Sequence, residues 1–327
     1  MRKKINLADL FIFILIAASI ASCAKNPQLD TSAKKNIALI LKMNYGYHWS
    51  TVKMGAETAA REFNIDLDYA SPNEEDDINA QIKMINEKLD NKDKKIDALV
   101  LAACDFEALV KTVERAYDMG IPVVIIDSQV DTDKITCNVA SDNIDAGRKA
   151  GSMLVSIAGK TCNVAIINNI KGSKDAEERE RGLLNVLAKY PGIRIVGNQY
   201  CYSDTRIAYS ITKSLLLQNK NIDAVVALNE VAAEGAAQAV DEMKLGGRIK
   251  IIAFDSTVQE INYLEKGIIQ ALVIQNPFSM GYLGVKYACD VLDGKDVKKQ
   301  YPIESKVIDK DTMYLPENQK LLFPFIK

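Results

Sequence analysis

The chain has 327 residues, 48% hydrophobic and 26% charged, enough apolar material to pack two domains of ordinary size. A net charge of -2 leaves no basic footprint, so no nucleic acid partner is expected. The one histidine, His48, argues against a His-ligated zinc or copper site and against a Ser-His-Asp triad centred elsewhere, and no metal or cofactor is expected.

At the N-terminus, Arg2, Lys3 and Lys4 precede an apolar stretch over 10–21 that is too short to span a bilayer. It ends in Ile20-Ala21-Ser22-Cys23. The pattern resembles a bacterial lipoprotein signal. Residues 1–22 would be removed and Cys23 would carry the lipid. A polar tether over 23–35 would then hold the body at the extracytoplasmic face of the membrane. The alternative is an ordinary secretory signal with an unrelated cysteine. Cys104, Cys137, Cys162, Cys201 and Cys289 show no CxxC spacing and read as buried free thiols, with a disulfide at Cys137 left open.

From residue 36 onward, strand and helix patterns alternate. Strands are expected over 36–42, 65–70, 98–102 and 122–127, with helices over 50–62, 76–89 and 107–118 between them. Gly120-Ile121-Pro122 stops the third helix and opens the strand after it. Strands joined by helical crossovers imply a parallel sheet. A second series follows, with strands over 163–168, 194–198, 224–228, 250–254 and 271–274. Its helices are expected over 175–189, 205–217, 230–243, 259–266 and 281–292. Taken alone, the order suggests two doubly wound lobes in tandem.

Four apolar runs each stop on one polar side chain. They are Val123-Val124-Ile125-Ile126-Asp127, Ala224-Val225-Val226-Ala227-Leu228-Asn229, Ile251-Ile252-Ala253-Phe254-Asp255 and Ala271-Leu272-Val273-Ile274-Gln275. Ligands of open parallel sheets bind outside the carboxyl ends of the strands, so these four residues are candidate ligand contacts. None forms a nucleophile–base pair, and Asp127 and Asp255 fall in different lobes, so binding is expected and catalysis is not. Capping is the rival role for Asp127 and for Asp255, since Ser256-Thr257 open a helix. The loop after the first strand, Asn44-Tyr45-Gly46-Tyr47-His48-Trp49, gathers aromatics at another strand end.

Further along stand Val139-Ala140-Ser141-Asp142-Asn143 with Ala146-Gly147 and Ala150-Gly151, then Arg179-Glu180-Arg181-Gly182, Phe254-Asp255-Ser256-Thr257 and Asp293-Gly294-Lys295. In this order they resemble the periplasmic-binding-protein type I family, and within it the ribose-like sugar receptors, over roughly 36–306. The resemblance implies an α/β fold of two doubly wound parallel-sheet lobes joined by a three-segment hinge. The crossings would lie near Ser141, near Gln275 and Asn276, and over 302–305. That corrects the tandem reading: the lobes would be 36–141 plus 276–303 and 142–275 plus 304–327. It also implies a monosaccharide between the lobes, held by Asp127, Arg179, Asn229, Asp255 and Gln275. His48 and Trp49 would stack on the ring, with Tyr47 as a lid. The implied partner is a membrane transporter permease or, alternatively, a membrane sensor histidine kinase or chemoreceptor. Repressors that share the fold carry an N-terminal helix-turn-helix, and here the export signal takes that place.

The chain departs from the ribose pattern. Ser128 stands where an arginine follows the matching aspartate, and Gly46 and Ala102 stand where asparagines are found. Ser203, beside Tyr202, replaces an aromatic. Ser128 and Asp105 are candidates to refill vacated positions, and a ligand other than ribose is expected.

Overall fold

A computed structural model describes residues 34–323. The expected signal segment, Cys23 and almost all of the tether lie outside the described residues. The first sheet takes β1 (Asn36–Ile40), β2 (Asp66–Ala70), β3 (Ala98–Leu101), β4 (Val123–Ile126), β5 (Cys137–Ser141) and β11 (Gln300–Ile303). Its order is β11-β5-β4-β3-β1-β2, with every pairing parallel. The second takes β6 (Thr161–Asn168), β7 (Gly192–Tyr200), β8 (Ala224–Ala227), β9 (Lys250–Phe254), β10 (Ala271–Ile274) and β12 (Lys306–Asp309). Its order is β12-β10-β9-β8-β6-β7, parallel except for β12, which runs antiparallel to β10. Five strands of each sheet follow the same winding, and β11 and β12 are the added edges.

The helices are α1 (Tyr47–Glu62), α2 (Ile78–Asp90), α3 (Val110–Asp118), α4 (Asn143–Ala158), α5 (Lys174–Leu187), α6 (Thr205–Gln218), α7 (Glu230–Glu242), α8 (Val258–Glu265), α9 (Pro277–Leu292) and α10 (Pro316–Leu322). The chain passes between the sheets three times, after β5, after β10 and between β11 and β12. Both faces of each sheet are covered. In β1, Ile37 and Leu39 pack into one apolar cluster while Ala38 and Ile40 pack into the cluster on the opposite face. This is why the strands read as continuous apolar runs rather than alternating ones.

Six elements differ from the sequence reading: β11, β12 and α10 had no expected counterpart, and the other three are β5, α4 and α1. β5 and α4 were passed over, because the buried stripe of α4 is Ala146, Gly147, Ala150, Gly151 and Leu154, too small to give a strong helical pattern. Its start is fixed by Asp142, whose side chain accepts from the Asp145 N–H. α1 begins at Tyr47 rather than at residue 50, because Gly46 at φ 92° turns the chain and the Ser50 hydroxyl donates to the Gly46 carbonyl at 2.6 Å. His48 and Trp49 are therefore in a first helical turn and not in a loop.

Glycines bring α4 and α5 close together. A Cβ on Gly147 would sit 2.0 Å from the Arg179 carbonyl oxygen, and one on Gly182 would sit 2.1 Å from that of Ile144. This crossing sets the height of Arg179 against the strand ends. All five described cysteines are buried and unbonded.

Candidate functional site

Asp127 and Asp255 are built alike. Each follows a central strand, each has a left-handed backbone (φ 59° and 75°), and each donates its N–H to a carbonyl of the neighbouring strand, Val139 and Val273 respectively. Aspartate tolerates this region better than most residues, and the turn throws the carboxylate out of the sheet end toward the other lobe. Between the two carboxylates stands His48, with Nε2 3.1 Å from Asp127 Oδ1 and Nδ1 3.9 Å from Asp255 Oδ1.

Around this bridge lies a small, tightly filled polar cavity. His48, Trp49, Asp127, Arg179, Asn229, Asp255 and Gln275 all line it. Trp49 is buried and meets the His48 ring edge-on at 4.8 Å. Arg179 donates from Nε to Asn143 Oδ1 and from a terminal nitrogen to the Leu228 carbonyl, both at 2.9 Å, and its guanidinium lies over Phe254. Those contacts lock the fork in place. Asn229 caps α7 through Oδ1, which accepts from the Ala232 N–H at 2.9 Å, so its amide NH₂ is the end left for the cavity. Asp255 is not the cap of α8, because Thr257 fills that role in a capping box with Glu260. Its Oδ2 instead accepts the Glu230 N–H, and its Oδ1 accepts from Gln275 Nε2 at 2.7 Å.

Three expected residues, Tyr47, Ser128 and Asp105, are not in the cavity wall. Tyr47 does not line the main cavity; it lines the adjoining space beside His48 and Gln275 and a roomier cleft that shares Met43 and Glu230 with the cavity. Ser128 lies beneath the cavity floor, 3.0 Å from Asp127 Oδ2 and 2.6 Å from Asp175 Oδ1, with one proton to share between them. Asp105 caps the turn that follows it by accepting from the Glu107 and Ala108 N–H groups.

Five further residues complete the site. Lys42 is 1% exposed, with Nζ 3.1 Å from Asp175, 3.7 Å from Glu75 and 4.0 Å from Asp127, and it donates to Ser173 at 2.8 Å. Glu75, Asn169, Asp175 and Glu230 all line the cavity. Glu75 receives the Ser203 hydroxyl, and Glu230 Oε2 accepts the His48 N–H at 3.0 Å. Lys42, His48, Glu75 and Ser128 belong to the first lobe, and Ser173, Asp175, Ser203 and Glu230 to the second. The polar network therefore holds the cleft shut.

Burial and charge oppose each other here. Burial lowers the basicity of His48, but the hydrogen bond and charge of Asp127, with Asp255 and Glu230 behind, raise it to about 9. Burial also works against the charge on Lys42, yet Asp175, Glu75 and Asp127 hold it above the ordinary lysine value. Asp175 is desolvated but lies well below the usual carboxylate range, because Lys42, Arg179, Ser128 and Ser173 favour its ionised form. Glu230 goes the other way. Burial and the Asp255 charge push it up to about 8 despite His48. Glu75 is likewise raised by burial, only partly offset by Lys42 and Ser203.

Two doubly wound lobes closing on a buried polar cavity define a solute-binding protein of the type I kind. A family model described as a periplasmic binding protein domain matches residues 37–296, and the chain belongs to that family. It is 30% identical to the D-allose-binding periplasmic protein of Escherichia coli K12, over 86% of this chain and 93% of that one. It is 27% identical to a ribose import binding protein of Bacillus subtilis 168, over 91% and 96%. A carbohydrate transporter solute-binding protein of Agrobacterium radiobacter, solved with D-arabinose, superposes with a TM-score of 0.85 at 30% identity, over 89% of this chain and all of that one. These relatives are named for binding and transport, and the chain is a binding protein, not an enzyme.

Proposed function

We propose that this protein is an extracytoplasmic receptor, lipid-anchored through Cys23, that closes on a monosaccharide and delivers it to a membrane transporter. One observation carries the reading. One cavity takes His48, Trp49 and Asp127 from one lobe and Arg179, Asn229 and Asp255 from the other, so a bound ligand joins the lobes. Carboxylates and amides pair with hydroxyls, and Trp49 offers a surface for the C–H face of a ring. Its relatives, an allose-binding protein and a ribose import binding protein, favour a sugar and favour transport over signalling to a sensor kinase. The contact roles of Asp127, Arg179, Asn229, Asp255 and Gln275 are part of this proposal.

Titration calorimetry on purified protein tests it, with a panel of pentoses and hexoses in neutral and aminated form. Saturable heat for at least one sugar is expected, lost in Asp127→Ala and Arg179→Ala. Silence across the panel would end the receptor reading. A ligand whose heat survived both substitutions would overturn the site assignment.

A further inference from the structure

The cavity holds more carboxyl groups than cations, and without a further cation burial favours the protonated form of two of those carboxyls, Glu75 and Glu230. Five carboxylates line it, those of Glu75, Asp127, Asp175, Glu230 and Asp255, and all five are buried. Three cations face them: Lys42, His48 and Arg179. Lys42 and His48 neutralise Asp175 and Asp127 directly. Arg179 spends its fork on a side-chain amide and a backbone carbonyl, which are neutral partners. Glu75 and Glu230 have the weakest compensation. Glu75 stands 3.7 Å from a lysine that is closer to Asp175, and Glu230 has Asp255 for a neighbour. Burying an uncompensated charge is costly, so a carboxylate held in such a place is best satisfied by a cation that arrives with the ligand.

A second observation is independent of charge. Gln275 is 3% exposed, and its Oε1 has no hydrogen-bond partner. The amide cannot be turned around, because Nε2 donates to the Asp255 carboxylate and an oxygen there would be repelled. Asn169 is 2% exposed, and its Oδ1 is also without a partner. Both residues line the cavity. Glu230 Oε1 rests over Gly46, where a Cβ would lie 2.7 Å from it. The Gln275 and Asn169 carbonyls are thus open acceptors for donors on the ligand, while the Asn229 NH₂ is an open donor for an acceptor on it. A metal ion is a poor answer to the charge, because among the described residues no group of three or more His, Cys, Asp or Glu is arranged to hold one.

We infer that the ligand is a cationic amino sugar, whose ammonium is taken by Glu230 and Glu75 while its hydroxyls meet the Gln275 and Asn169 carbonyls and the Arg179 fork. The inference rests on the receptor reading above and narrows its substrate class. It also accounts for Gly46: a side chain there would displace the carboxylate that the ammonium needs.

The experiment is titration calorimetry on the full chain. D-glucosamine, D-galactosamine and D-mannosamine are each compared with the neutral parent hexose and with the N-acetyl derivative, which has the bulk without the charge. At least one amine is expected to bind roughly tenfold or more tighter than its parent and its acetyl form, the effect of one charge-assisted contact. If every parent matches or exceeds its amine, the inference is overturned and the receptor reading stands, with the two glutamates acting as protonated donors. If no sugar in the wider panel binds, the receptor reading falls and the inference with it. Glu230→Gln and Glu75→Gln keep shape and hydrogen-bond capacity while removing charge. The amine preference is expected to shrink roughly tenfold in at least one of them while the unliganded unfolding midpoint does not fall. A preference that is intact in both overturns the inference.

Discussion

Glu230 occupies the space that a side chain at Gly46 would fill. The two residues come from opposite lobes, and the carboxylate approaches the bare Cα so closely that a Cβ would lie 2.7 Å from Oε1. Gly46 also has φ 92°, a conformation that other residues rarely adopt. Gly46→Ala therefore meets strain and crowding together. Denaturant unfolding should report a loss of about 1–3 kcal/mol, together with weaker ligand binding. A midpoint equal to the parent's would show that neither matters.

Lys42 ties the first lobe to the second through Asp175 and Ser173. Lys42→Met keeps the volume but strands three buried carboxylates, and removing one partner of a buried ion pair costs about 3–5 kcal/mol. The penalty falls on the closed form. Small-angle scattering should find this variant more extended than the parent at the same ligand concentration. Equal radii of gyration would count against a closing role for Lys42.

The only histidine gives one imidazole resonance to follow. His48 should titrate near 9 in the folded protein, well above its ordinary value of 6.5. In Asp127→Asn the principal hydrogen bond to a charged partner is gone, and the titration should move down by a unit or more, roughly what losing one charged contact implies. An unchanged midpoint by proton NMR would refute the bridge.

Stability without ligand should fall as pH rises from mildly acidic values. His48 is raised from 6.5 to about 9, so its stabilising contribution is complete below 6.5 and disappears as pH climbs through 9. Glu230 is raised from 4.5 to about 8, so the unfolded chain ionises first and stability declines between those values. Asp127 and Asp175 are lowered from 3.8, so their contribution is present above that pH and vanishes as pH drops further. Melting temperatures should peak on the acid side of neutrality. A flat profile between pH 5 and 9, or one still rising through it, would contradict the charge assignments.

Gly147→Ala tests the helix crossing from outside the cavity. The added methyl meets the Arg179 carbonyl and must push α5 away. Overpacking of this kind costs about 1–3 kcal/mol of stability. Affinity should fall as well, because the guanidinium shifts with its backbone. Lost stability with affinity intact would mean that the crossing does not position Arg179.

Much of the fold was legible because apolar runs of strand length alternated with helical periods. The strand-end rule led to Asp127, Asn229, Asp255 and Gln275, which parallel strands carry to a single place. The same rule applies to Lys42 and Asn169, yet both escaped it. Lys42 passed for the last residue of a strand that in fact ends at Ile40, and Asn169 sits one residue beyond Asn168, where β6 stops. Glu75 was hidden in Asn73-Glu74-Glu75-Asp76-Asp77, which reads as a solvated acidic run. Glu230 looked like the ordinary acid of a helix start. Only the meeting of two lobes turns these surface-like residues into cavity walls, and local pattern carries no record of that.

The edge strands have one further consequence. The first sheet lacks β11 until residue 303 has been made, and helix α9 returns to the first lobe only after the central strands of the second are complete. Neither lobe can finish as its own residues emerge, and contacts this distant in sequence form slowly. A nascent chain of this kind stays unfinished almost to its end.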